Sequence, residues 1–178
     1  MAKRAYPLGK VYKLLEPGPV LLLATAGRRG PNVMTLSWQM PMEFEPPLVG
    51  CVLGAMDYSY GLLKAHRECT LNIPTAELVD QVVAVGNCTG RDTDKFHDFG
   101  LTPKPAKLVG APLVKECYAN LECRIADTCM VNRYGLFILE VVQAWVDTAV
   151  KQPKTLHHLG NGVFMVAGAV IRTASAMK

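Results

Sequence analysis

The chain has 178 residues, a length that suits one domain and suffices to bury about 70% of the surface of the unfolded chain. Half of the residues are hydrophobic and only 19% are charged, so either the core is large or part of the surface is covered by another subunit. The net charge of +4 is scattered rather than gathered into an aromatic-laced patch, no apolar run nears the roughly 18 residues that cross a bilayer, and the basic start has no signal-peptide apolar stretch; these features exclude nucleic acid and membrane and point to the cytoplasm.

In chain order, residues 9–16 read as a short helix cut off by Pro17-Gly18-Pro19. The apolar run 19–26, a turn over 27–31 and the segment 32–38 read as a hairpin of two strands. Pro46-Pro47 announces a third strand over 48–53, ending at Gly54. Residues 57–66 read as a helix with Asp57 or Ser59 at its cap, and 69–73 as a strand stopped by Pro74. Thr75 caps a second helix carrying Glu77, Val79, Val82 and Val83. A polar loop over 86–92 leads into a short turn over 94–97, and Pro103, Pro105 and Pro112 mark an irregular connection. Residues 113–130 and 134–150 read as two long strands joined near Asn132-Arg133, and 163–173 as a last strand that closes the sheet. Helices do not alternate regularly with strands, so a doubly wound parallel sheet is excluded and a mostly antiparallel barrel with peripheral helices is expected.

The most informative segment is Asn32-Val33-Met34-Thr35-Leu36-Ser37-Trp38. Alternation puts Asn32, Met34, Leu36 and Trp38 on one face and Val33, Thr35 and Ser37 on the other. Hydroxyls, an amide and a large flat ring on one hairpin suit a planar, hydrogen-bonding ligand. The segment resembles the Asn-x-Met-Thr-x-Ser-Trp signature of the flavin-reductase-like, FMN-binding split-barrel family, which includes flavoredoxins. Thr89-Gly90 followed by Asp94-Lys95-Phe96 resembles that family's Ser-Gly and Asp-Lys-Phe segment, in which the lysine meets FMN.

The resemblance runs from about Gly9 to Ile171 and implies a split antiparallel β-barrel, FMN as cofactor, a homodimer, and cofactor grooves at the subunit interface. It also implies a site. Asn32, Met34, Thr35, Ser37 and Trp38 line the flavin, with Leu53 and Gly54 at the exit of the third strand. Ser59 offers a hydroxyl to the phosphate and Tyr60 covers it; Lys95, with Arg91 as second candidate, supplies the cation. Tyr134 and Phe164 are the aromatics placed near the ring.

Two positions depart from the pattern. Asp57 stands where relatives carry a basic residue, and a carboxylate there is expected to point away and cap the helix. Tyr134 stands where many relatives carry histidine in a Gly-Asp-His turn, so proton delivery by a histidine does not carry over.

The remaining chemistry-bearing residues are silent. Six cysteines form no C-x-x-C pair and read as free thiols; Cys117, Cys123 and Cys129 would succeed one another along a strand about 20 Å apart, too far to share a metal. His157 and His158 are adjacent and diverge on any regular element. The chain has neither a dinucleotide-binding glycine fingerprint nor a Gly-x-Ser-x-Gly elbow. The implied activity is that of a flavin reductase-like oxidoreductase, passing electrons from NAD(P)H or a protein donor through FMN to an acceptor. Two alternatives stay open: a non-enzymatic flavoredoxin-type carrier, and a split-barrel binding module without flavin.

Overall fold

The computed structural model describes residues 3–27 and 30–176. Its elements, in order, are β1 (Lys3–Ala5), a 3-10 turn (Leu8–Lys10), α1 (Tyr12–Leu15), β2 (Leu21–Thr25), β3 (Asn32–Leu36), β4 (Gln39–Phe44), β5 (Pro47–Val52), α2 (Tyr58–His66), β6 (Glu68–Ile73), a second 3-10 turn (Ala76–Leu78), α3 (Val79–Gly86), α4 (Lys95–Asp98), β7 (Pro103–Lys104), β8 (Leu113–Val114), β9 (Ala119–Asp127), α5 (Val131–Tyr134), β10 (Leu136–Asp147), β11 (Leu156–Gly160) and β12 (Val163–Val166). Arg28 and Arg29, the middle of the expected first turn, lie outside the described residues.

The main sheet runs β3-β2-β6-β9-β10-β5-β4, with β1 pairing the far end of β10, and every pairing is antiparallel. Its edge strands β3 and β4 are sequence neighbours separated only by Ser37 and Trp38. Six strand spacings laid flat would put those edges about 29 Å apart. The link reaches at most about 11 Å, so the sheet must roll until its edges meet. No ladder joins β3 to β4 among the described residues, which leaves a barrel with a split. The link itself is pinned by backbone: Gln39 N–H donates to Ser37 O (3.1 Å), and Val52 N–H of β5 donates to Trp38 O (3.0 Å), prolonging the β4–β5 ladder.

β2 is buried along its whole length because it feeds two cores. Leu21 and Leu23 join Leu71, Leu121, Phe137 and Leu139 inside the roll. Leu22 and Ala24 join Val33, Val82, Val85 and Phe96 under α3 and α4. A fully buried Leu contributes about 1.5–3 kcal/mol, so both faces of β2 hold the helices and the barrel together.

Four expectations are corrected. The segment after residue 163 does not close the sheet: β12 pairs only with β11, in a separate hairpin. The long strands are joined not by a simple turn but by α5, which ends at Gly135 in the left-handed region (φ 67°). A side chain there would strike the Leu53 carbonyl, and the Gly135 carbonyl accepts from Leu53 N–H at 3.0 Å. β1 and β4 went unread. β4 carries Pro41 and alternates half-buried with exposed residues, as an edge strand can. Finally, neither Asp57 nor Thr75 caps a helix with its side chain.

Candidate functional site

The Asp94-Lys95-Phe96 run shows how local chemistry builds the site. Asp94 caps α4, its Oδ1 accepting from His97 N–H at 3.1 Å. Phe96 anchors the turn in the outer core. Between them Lys95 is turned inward, 4% exposed, and its Nζ donates to the Val85 carbonyl at 2.8 Å. That is its one hydrogen bond among the described residues, so two ammonium protons have no acceptor. Burial strips water from the ammonium and pushes its pKa below 10.5, while Cys88 and Asp57 pull it back up.

Opposite Lys95 stands the start of α2, where an α-helix leaves its first N–H groups without intrahelical partners. Asp57 does not cover them; its Oδ2 accepts from Gly54 N–H at 2.9 Å and tightens the turn before the helix. Ser59 is buried and its Oγ accepts from Asn32 Nδ2 at 2.8 Å, leaving the hydroxyl proton free to donate. Asn32 is 4% exposed, and its Oδ1 has no partner. Gly90 packs against it: a Cβ at position 90 would overlap Asn32 Oδ1 and press the Tyr58 ring.

These residues face one depression, walled by β3, the start of α2 and the 87–95 segment. Two further depressions adjoin it. One shares Asn32, Tyr58 and Gly90 and continues to Arg91, whose guanidinium lies over the Tyr58 ring at 5.3 Å. The other shares Asn87 and continues between Thr35, Ser37, Val82 and the β11–β12 hairpin, where Phe164 forms the far wall. The first two carry cations and uncommitted donors, and the third, reached past Asn87 around the edge strand β3, is an aromatic, hydroxyl-lined slot; together they make a groove around that edge. An elongated ligand with an anionic group at one end and a flat ring at the other matches that order.

The structure thus gathers Asn32, Met34, Ser59 and Lys95 in the first depression, Arg91 beside it, and Thr35, Ser37 and Phe164 in the slot. Thr35 is also tied to α3, its Oγ1 donating to Val82 O at 2.6 Å. Five expected residues are not in the walls. Tyr60 faces inward, edge-on to Phe137, with its hydroxyl donating to Val131 O at 3.3 Å; Tyr58 takes the place expected for it. Leu53 is buried in the inner core, and the Gly54 N–H is taken by Asp57. Trp38 is 71% exposed and Tyr134 is 55% exposed, its ring under the Arg133 guanidinium. Sequence reading missed Asn87, Cys88 and His158 as lining residues. The first two follow the end of α3 directly, and His158 could have been found from the Gly160-Asn161-Gly162 turn that folds it back onto Phe164.

No group of three or more metal-binding side chains occurs among the described residues, and no described helix is long and apolar enough to cross a membrane. All six cysteines are free.

Residues 14–166 match the family model described as flavin reductase like domain. A protein of Escherichia coli strain K12, uncharacterized protein YddH, is 34% identical over 88% of this chain and 90% of its own. An uncharacterized protein of Archaeoglobus fulgidus is 35% identical over 74% of this chain and 75% of its own. Among solved structures, an FMN-binding domain of a flavin reductases-like enzyme from Shewanella baltica superposes with a TM-score of 0.91 at 26% identity, covering 97% of this chain and 98% of that one. The flavoredoxin of Desulfovibrio vulgaris shares the fold, with a TM-score of 0.80 at 24% identity over 89% of this chain and 91% of that one.

Proposed function

The chain belongs to the flavin reductase-like family, and from that premise we propose that it binds FMN in the β3 groove and works as a flavin-dependent oxidoreductase. The observation that carries the reading is the pairing of uncommitted donors with a buried, unpartnered acceptor at one end of the groove. A phosphate near −2 charge fits two free Lys95 protons, the Ser59 hydroxyl and the open N–H groups of α2. The orphaned Asn32 Oδ1 lies buried against Gly90, and a small outward shift of that backbone would open it to a ribityl hydroxyl. The slot between Thr35, Ser37 and Phe164 fits the isoalloxazine plane and its polar edge.

FMN supplies two-electron redox chemistry when bound; the chain supplies placement. Lys95 and Ser59 hold the phosphate end, Asn32 fixes the polyol, and Thr35, held by its bond to Val82, fixes the height of the slot wall. Phe164 restricts water on one side of the slot, leaving the open side for reductant and acceptor in turn. Asp57, bonded to Gly54, keeps its charge from the helix N–H groups that the phosphate needs.

The same proposal includes a homodimer and a cytoplasmic location. Trp38, Met40, Met42 and Phe44 expose apolar surface along β4, and Leu159, Val163 and Met165 do so on the hairpin. That surface supports a second copy packing there, which would also cover Trp38 and Tyr134. An absorbance spectrum after mixing with FMN, followed by anaerobic titration with NADH and NADPH, tests the function. Bleaching by a nicotinamide identifies an enzyme that takes its electrons from it. Bleaching by dithionite alone indicates a carrier fed by a protein. A protein that stays colourless in excess FMN refutes both.

A further inference from the structure

A cavity of about 240 Å³ lies between β1, the β7–β8 hairpin and the far end of β10, and it shares no residue with the groove. Its walls are Lys3, Lys104, Leu113, Lys115, Asn120 and Trp145. Asn120 and Trp145 alternate with Ala119, Leu121, Ala144 and Val146 of the inner core, so the cavity sits on the outer face of the sheet. The three lysines reach it from separate places in the chain. β1 pairs with β10, setting Lys3 opposite Asp147 and Ala5 opposite Trp145. The β7–β8 hairpin sets Lys104 opposite Leu113, and just past β8 the Lys115 N–H donates to the Thr102 carbonyl at 3.0 Å.

Lys3 is built into this place. Its ammonium donates to Asn120 Oδ1 and, at 3.1 Å, to the Lys115 carbonyl. Asn120 is fully buried, and its Nδ2 donates to Asn72 Oδ1 at 2.7 Å and to the Val114 carbonyl at 2.9 Å, which fixes the carboxamide with its oxygen toward Lys3. Lys104 is close enough for its charge to oppose that of Lys3. Among the described residues no carboxylate stands within ion-pair distance of any of the three lysines, and the ammonium groups of Lys104 and Lys115 make no hydrogen bond. Glu116 and Asp147, the acids whose charges reach Lys3, are engaged elsewhere. Glu116 Oε2 accepts from Thr102 N–H and Asp147 Oδ1 from Ala149 N–H, both at 3.0 Å. Cations gathered without a counter-ion repel one another, and an anion between them removes that cost.

The rest of the wall is apolar and flat. The Trp145 indole N–H is spent on Glu122 Oε1 at 2.8 Å, so the ring brings only carbon to the cavity, and Leu113 adds to it. We propose that this cavity is an anion site separate from the FMN groove, and that its ligand class is a small aromatic carboxylate. The carboxylate lies among Lys3, Lys104 and Lys115, and the ring lies against Trp145 and Leu113. The three cations select the charge, and the indole face selects a flat apolar body. The volume falls below the roughly 300–1,000 Å³ of pockets that take drug-sized ligands, which selects a single ring. Inorganic phosphate would use the lysines and leave the indole bare.

Titration of the full chain with benzoate, followed by the indole N–H resonances in NMR, tests this. The chain has two tryptophans, and Trp38 serves as the internal control because it lies outside this cavity. Benzoate should move the Trp145 resonance and leave that of Trp38 in place. Benzamide, which keeps the ring and loses the charge, and inorganic phosphate, which keeps charge and loses the ring, should each bind at least about fivefold more weakly. Lys104→Gln with Lys115→Gln should weaken benzoate by a similar factor without lowering the melting temperature, since both side chains are exposed and unbonded. FMN added first should leave benzoate affinity unchanged. If benzoate at about 20 mM leaves Trp145 unmoved, the proposal falls. Phosphate or benzamide binding as tightly as benzoate overturns the ligand class. Benzoate binding that survives the double substitution, or that FMN displaces, overturns the separate site.

Discussion

Replacing Lys95 with methionine separates what the ammonium costs the fold from what it gives the ligand. The apolar stem is kept, and the charge and its bond to the Val85 carbonyl are lost. A charge-assisted hydrogen bond contributes about 1.5–3 kcal/mol. At about 1.4 kcal/mol per tenfold, the dissociation constant for FMN should rise about 12- to 140-fold. The buried position argues against discounting this for solvent screening.

The apo protein should respond differently. Burial lowers the folded-state pKa of Lys95 below its unfolded value of 10.5, so the unfolded chain holds this proton more tightly. The resulting penalty is complete at neutral pH and fades as pH rises from the lowered value toward 10.5, which makes the apo fold gain stability through that window. Lys95→Met should therefore leave the neutral-pH melting temperature of the apo protein unchanged or raised, and should abolish the alkaline gain. Flavin fluorescence quenching gives the affinity, and thermal melts with and without FMN give the stability. Unchanged affinity would remove Lys95 from the site, and a variant that melts far below wild type without ligand would show the ammonium to be a structural clamp.

Gly90→Ala puts a Cβ onto Asn32 Oδ1 and the Tyr58 ring; it should destabilise by about 1–3 kcal/mol and weaken FMN binding, and a silent substitution in both assays would mean the 87–95 segment is not fixed against β3. Cys88 lines the phosphate end of the groove, whereas Cys129 is exposed elsewhere; FMN should slow alkylation of Cys88 and leave Cys129 unaffected, as read by mass spectrometry, and equal protection or none would argue against that placement. Trp38→Ala should change the stability of the single chain by no more than about 0.5 kcal/mol, because the ring is exposed, yet should loosen the proposed dimer that covers it and FMN with it; an insoluble variant would assign Trp38 to structure. Met42→Glu with Phe44→Glu places charge on the apolar edge and should give a monomer by sedimentation, so a persisting dimer would move the interface elsewhere.

What the sequence made legible was local. The short turn over 94–97 and its lysine are legible in adjacent residues; the structure adds the Asp94 cap, the burial of Lys95 and the Phe96 anchor, which are not. The two faces of β3 also separate as alternation requires, Asn32 and Met34 to one depression and Thr35 and Ser37 to another. Alternation failed at Trp38, which lies past the end of the strand, where the chain crosses the split. Pairing partners were not legible, because nothing local distinguishes a strand that joins the main sheet from one that folds onto its own hairpin; hence the misplacement of β12. Tyr60 and Tyr58 were exchanged for a similar reason: one helical position decides between the inner core and the groove, and the packing of Phe137 settles it.

Ser37 and Trp38 alone separate the strand that lines the groove from the outermost strand of the roll. The two cannot move independently, since a shift of one pulls the other through a two-residue link that is itself bonded to β5. Anything that clamps β4 from outside therefore narrows the freedom of Thr35 and Ser37 as well. By thermodynamic reciprocity, a ligand seated beside Thr35 must strengthen that outer clamp by the same factor. Dilution and cofactor depletion would then push the molecule in one direction, each making the other easier.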